Sequence, residues 1–91
     1  MTSKNKIYII TRREIGGDHQ SDTYPRAFKT VDEAVKAMSQ WSLRIDHEYE
    51  KELGYTTKIV DWLKFQEIDI VDVDDPDHPT LEELTVEELD I

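Results

Sequence analysis

The last twenty residues hold nine carboxylates and no base: Asp72, Asp74, Asp75, Asp77, Glu82, Glu83, Glu87, Glu88 and Asp90. Residues 1–71 carry all eleven lysines and arginines against twelve acids, so nine of the ten net negative charges lie at the C-terminal end. Like charges packed this closely along a chain repel. Such a segment is expected to extend from a nearly neutral folded body rather than to belong to it. Pro76 and Pro79 stand at the junction. Proline has no N–H for a sheet ladder, which predicts that the last strand of the body stops by Asp75. The chain thus divides into a compact body, residues 1–75, and an acidic C-terminal segment, residues 76–91.

Within the body, residues 6–12 are rich in β-branched and aromatic side chains without a breaker, the pattern of a strand. Residues 14–23 are polar and contain Gly16-Gly17, and so form a loop. Residues 24–29 predict a second short strand, paired with the first as an antiparallel hairpin, with Pro25 at an edge or at the strand's first position. Thr30-Val31-Asp32-Glu33 is a capping box, in which the threonine hydroxyl and the glutamate carboxylate each satisfy a free N–H of the first helical turn. The apolar stripe that follows (Val31, Ala34, Ala37, Met38, Trp41, Ile45, Tyr49) has helical spacing. Gly54 ends it in the left-handed conformation, giving one helix over 31–53. Residues 66–73 read as a strand whose apolar parity switches at Ile70-Val71. That switch predicts either a bulge or burial on both faces.

Two segments are less determined. Residues 57–64 fit a short helix with Ile59 and Leu63 on one side, or a strand. No Gly or Pro separates them from the next strand, which argues against a tight hairpin. Residues 80–89 repeat as Thr80-Leu-Glu-Glu-Leu84 and Thr85-Val-Glu-Glu-Leu89. Each copy carries the T-x-x-E cap signature, which predicts a short helix over 80–90. Being shorter than the ~12–15 residues an isolated helix needs in water, it must dock to persist, through Leu81, Leu84 and Ile91. The expected class is α+β. Its architecture is a small antiparallel sheet (β-β-α-(α or β)-β) with one long helix packed on one face and an acidic C-terminal tail.

Several function classes fall away. With no cysteine, a disulfide scaffold, a thiolate zinc site and a thiol nucleophile are excluded. A net charge of −10 argues against direct binding to nucleic acid, whose phosphates demand Lys and Arg. No apolar run approaches the ~20 residues of a membrane-spanning helix. The polar opening residues run straight into a strand without a secretory apolar region, so a cytoplasmic location is expected. There is no G-x-S-x-G, H-E-x-x-H or Walker pattern, and Gly16-Gly17 does not lead into a helix. The expectation is a protein that is not an enzyme and needs no cofactor.

What remains is interaction. If residues 80–90 were helical, five carboxylates would occupy about 16 Å at 1.5 Å per residue. That density is comparable to one charge per ~3.4 Å along each DNA strand. The expected function is that of a small protein-interaction protein, an inhibitor or modulator that binds the basic, nucleic-acid-binding surface of a partner protein. Asp74, Asp75, Asp77, Glu82, Glu83, Glu87 and Glu88 are the candidate acidic contacts. Tyr55, Trp62, Leu81 and Leu84 are the candidate apolar anchors. Phage and mobile-element anti-defence inhibitors share this size and charge, an analogy that no motif carries. One alternative is a metal-binding or catalytic domain using Asp18, His19 and Asp22 with the acids near Asp72. Residues 72–78 depart from a calcium loop, because Pro76 takes the third ligand position and no glycine follows. A second alternative is a homodimer paired through strand edges or helix faces.

Overall fold

Residues 80–90 form neither a helix nor an appendage, but the longest and most central strand of the protein. In the computed structural model, which describes residues 5–15, 21–77 and 79–91, the elements run β1 (Lys6–Glu14), β2 (Ser21–Thr23), α1 (Val31–Lys51), β3 (Thr57–Trp62), β4 (Glu67–Asp72) and β5 (Thr80–Asp90). They build one antiparallel sheet of order β2-β1-β5-β4-β3, with α1 packed on one face. The class is therefore α+β, as expected. The boundary proposed at residue 75 falls in the turn between two sheet neighbours.

The strand wins over the helix at 80–90 for two reasons. A second T-x-x-E box five residues after the first places a cap inside the helix it should open. The β-branched residues Thr80, Thr85 and Val86 suit an extended chain. Alternation then sends Glu82, Leu84 and Val86 toward α1, and Glu83, Thr85 and Glu87 to the opposite face. Leu84 is fully buried, opposite Arg12 of β1 and Ile68 of β4. The repulsion that suggested a detached tail is answered across the ladder. β1 brings three bases alongside β5: Lys6 lies 2.5 Å from Glu88, Arg13 lies 3.5 Å from Glu83, and Arg12 is paired with Glu82. Opposite charges on neighbouring strands stabilise; like charges there do not.

The helix begins where the capping box placed it, with the Thr30 hydroxyl accepting the Glu33 N–H at 3.2 Å. It ends at Lys51, slightly ahead of the expected limit. Gly54 has φ +75°, the left-handed conformation expected of it, in the turn beyond the Glu52 cap. Ala34, Met38 and Ile45 of the stripe are buried against Ile10, Ile68, Ile70, Leu84 and Val86. Ser42 also reaches the core, its hydroxyl donating to the Ser39 carbonyl at 2.7 Å.

Two further expectations need correction, and a third is resolved. The second strand is Ser21–Thr23, not 24–29. Residues 24–28 still line the edge of β1: the Tyr24 N–H donates to the Ile10 carbonyl at 2.9 Å, and Tyr8 and Phe28 form an isolated bridge. Pro25, lacking an N–H, helps keep this run from becoming a ladder. Residues 57–62 are a strand and do form a hairpin with β4, through a 3-10 turn at Leu63–Phe65. Gln66, with φ 57°, takes the left-handed position a glycine usually fills, which is why no Gly or Pro marked the turn. The parity switch of β4 is a bulge, since the β4–β5 register shifts between Ile70 and Val71. Among the described residues, no helix is long and apolar enough to cross a membrane.

Candidate functional site

The helix covers one face of the sheet, and no described element packs on the other. Strand alternation dictates what this open face displays. β1 contributes Ile7, Ile9, Thr11 and Arg13; β5 contributes Glu83, Thr85, Glu87 and Leu89 opposite them. β4 adds Glu67 and Asp69, and β3 adds Lys58, Val60 and Trp62. The acids lie at the middle of the face, with apolar side chains at both ends.

Asp69 is paired directly with Glu83, and Glu67 with Thr85, the neighbour two residues further along β5. The carboxylates of Glu67, Asp69 and Glu83 consequently gather with oxygens within 4.8 Å of one another. The Trp62 indole N–H donates to Asp69 Oδ2 at 2.9 Å. Asp69 Oδ1 is buried and has no hydrogen-bond partner among the described residues. Arg13 is the one described base in an ion pair with the trio, through Glu83 at 3.5 Å. Partial burial, and then the adjacent Asp69 carboxylate to which a protonated Glu67 can donate, push the Glu67 carboxyl up to about 7. Glu83 adds to the rise and Arg13 opposes it.

A carboxyl whose pKa is raised on folding favours the folded state while protonated, and this contribution fades as pH rises from the ordinary carboxylate range through about 7. Glu67→Gln is therefore expected to be nearly neutral at pH 4 and stabilising by about 1–2 kcal/mol at pH 8, a figure reduced for solvent screening. Urea titrations at the two pH values check this. Equal effects at both would show that Glu67 ionises without penalty.

No protein-family model matches the sequence, and comparisons with curated proteins and with solved structures find no match to it. The site must accordingly be judged on its own geometry.

The structure redistributes the acidic contacts expected from sequence. Glu83 and Glu87 lie on the open face. Glu82 is buried beneath α1, bonded by Arg12 through both carboxylate oxygens, one of them at 2.8 Å. Glu88 also projects to the helix side, against Lys6. Asp74, Asp75 and Asp77 belong to the β4–β5 turn. There Asp72 accepts the Asp74 N–H at 2.9 Å and Asp75 accepts the Asp77 N–H at 3.1 Å. Of the apolar anchors, Tyr55 and Trp62 are exposed, whereas Leu81 is half-buried against the core and Leu84 is inside it. Leu84 is thus a core residue and unavailable to a partner. Asp18, His19 and His78 lie outside the described residues, and Asp22 is exposed on β2.

Glu67 and Asp69 were not singled out from sequence. Their signal was the Glu67-x-Asp69 spacing on a strand, which puts both on one face. Joining them to Glu83 required knowing that 80–90 is the neighbouring strand. On the helix side, a cavity of about 320 Å³ is lined by Arg12, Tyr24, Trp41, Arg44 and Glu48. Within it Arg12 bonds Glu82, and the Tyr24 ring stacks edge-on against Trp41 at 5.1 Å. Burial raises the pKa of the nearby Tyr49 hydroxyl well above its ordinary value, and Glu82 adds to the rise.

Proposed function

We propose that this chain is a non-catalytic interaction protein whose open sheet face receives a basic surface of a partner protein. The observation that carries the reading is a sheet face left uncovered with three carboxylates gathered at its middle and one internal arginine beside them. A folded protein that gathers three acids around a single arginine holds a repulsion that an arriving lysine or arginine relieves. Ile7, Ile9 and Leu89 at one end, and Val60 and Trp62 at the other, offer apolar contact around the charged centre, with Trp62 suited to anchor the partner. Basic surfaces of this kind commonly serve nucleic acids. Occupying one would make the chain an inhibitor or modulator of its partner.

The test uses a lysine- and arginine-rich peptide titrated into isotopically labelled protein. Chemical-shift changes should concentrate on β4, β5 and Trp62. Affinity should fall as the Debye length shrinks from about 10 Å at 0.1 M salt to about 3 Å at 1 M. Asp69→Asn with Glu83→Gln should weaken binding at least roughly tenfold, equivalent to about 1.4 kcal/mol. Glu50→Gln with Glu52→Gln, on and just after the helix, should not. Shifts confined to the helix side, or equal affinity in both double variants, would refute the reading. Displacement of the peptide by millimolar Mg²⁺ or Ca²⁺, with loss of the ion's effect in the Asp69 variant, would assign the trio to a cation instead.

A further inference from the structure

The two edges of the sheet are treated differently. Outside β1, the edge is occupied by β2 and by residues 24–28. Outside β3, no described strand pairs, although β3 is six residues long. The Val73 N–H donates to the Thr56 carbonyl at 3.0 Å. Antiparallel alternation then turns the backbone groups of Lys58, Val60 and Trp62 toward β4, and those of Thr57, Ile59 and Asp61 outward. An exposed row of backbone donors and acceptors is a template for another strand.

The side chains around this edge are unusually apolar for a surface. Leu53 and Tyr55 precede β3, 63% and 41% exposed, and Trp62, Leu63 and Phe65 follow, 47%, 47% and 67% exposed. Apolar groups at both ends of one edge suit a partner that brings the same groups in reverse order, which is what a two-fold axis does.

We propose that two copies of this chain pair antiparallel through β3, with Val60 of each copy on the two-fold axis, to form a continuous ten-stranded sheet. Opposed residues must share a face, and outward-facing residues must pair with outward-facing ones to exchange both backbone bonds, which limits the pairing to registers that set Thr57, Ile59 and Asp61 opposite one another. Of these, the register centred on Val60 is the one that sets Lys58 opposite the Trp62 ring. With Val60 opposite Val60, Ile59 faces Asp61, Lys58 faces Trp62, and Tyr55 comes to the level of Phe65. Shifting the pairing by one residue would set Lys58 against Asp61 from opposite faces of the sheet. The chosen register also has charge complementarity. Lys58 is exposed and in no ion pair within its own copy among the described residues. In the dimer its ammonium meets the Trp62 indole face, beside the carboxylate of Glu67, the residue paired with Trp62 across β3–β4. Asp69, bonded to that same indole, is adjacent. Each copy thus lends one lysine to the other's acidic trio, and the open faces of the two copies become one surface.

Sedimentation velocity across a concentration series tests this on the full chain. A reversible monomer–dimer equilibrium is expected, with the Ile59 and Asp61 amides gaining hydrogen-exchange protection as concentration rises. Lys58→Glu sets like charges against Glu67 and should weaken the dimer at least roughly tenfold. Glu67→Lys should do the same by facing Lys58. Mixing the two variants restores opposite charges at both contacts and should restore association. Asp61→Pro removes an outward N–H at an exposed position and should abolish pairing while β4 stays protected. A monomer at every concentration overturns the proposal. So does a dimer that both charge variants leave intact, or a mixture that fails to recover. None of these outcomes depends on whether the open face binds a basic peptide.

Discussion

A chain ending at residue 77 is expected to lose its cooperative thermal transition and the dispersion of its amide resonances. β5 lies between β1 and β4, so its removal divides the sheet into β2-β1 and β4-β3 and strips a ladder from each. Ile10, Ile68 and Met38, all fully buried, would lose Leu84 and Val86 as neighbours. Fully burying each such side chain contributes about 1.5–3 kcal/mol, and the ladders add to that. The sum rivals the ~5–15 kcal/mol by which a small domain is stable at all. Leu84→Ala, a milder change, should cost about 2–5 kcal/mol in a denaturant titration. A truncated chain that keeps its native spectrum would return residues 79–91 to the status of an appendage.

The failure of the tail expectation shows what a linear count of charge can miss. Counted along the chain, the last twenty residues are nine acids without relief. Counted across the ladder, Lys6, Arg12 and Arg13 stand beside them from seventy or more residues away. Where the signal was local, it was readable. The Thr30 cap, the apolar stripe and the parity switch at Ile70-Val71 each depend on residues within a turn or two, and each is present in the fold. Where the signal was local but shared, it misled, since Thr-x-x-Glu opens a helix and also suits a β-branched strand with alternating carboxylates. The β3–β4 hairpin escaped notice because Gln66 accepts a left-handed conformation without announcing it. The open face was half legible: Glu67 and Asp69 from their own spacing, Glu83 only after β5 had taken its place.

The Arg12–Glu82 pair should prove the most sensitive polar contact in the molecule. Glu82 is completely buried, and Arg12 meets it with two donors while its guanidinium lies 5.9 Å from the Trp41 ring centroid. Arg12→Ala leaves a carboxylate under α1 with its principal donor gone, and should cost about 3–5 kcal/mol. Replacing both residues, Arg12→Met with Glu82→Leu, removes the buried charges together and should recover most of that loss or exceed it. The recovery would show that the pair is kept for something other than stability, and the register of β1 against β5 is the natural candidate. Sliding β1 by one residue would carry Arg12 to the open face, set it among Glu83 and Glu87, and strand Glu82 beneath the helix. The double variant, lacking that penalty, should therefore unfold with a broader urea transition and show more than one set of β1 amide resonances, even where its midpoint is unchanged. A sharp transition with a single set of resonances would place register control in the core side chains Ile10, Leu84 and Val86 alone. An Arg12→Ala cost under 1 kcal/mol would mean that Glu82 finds water when its partner leaves.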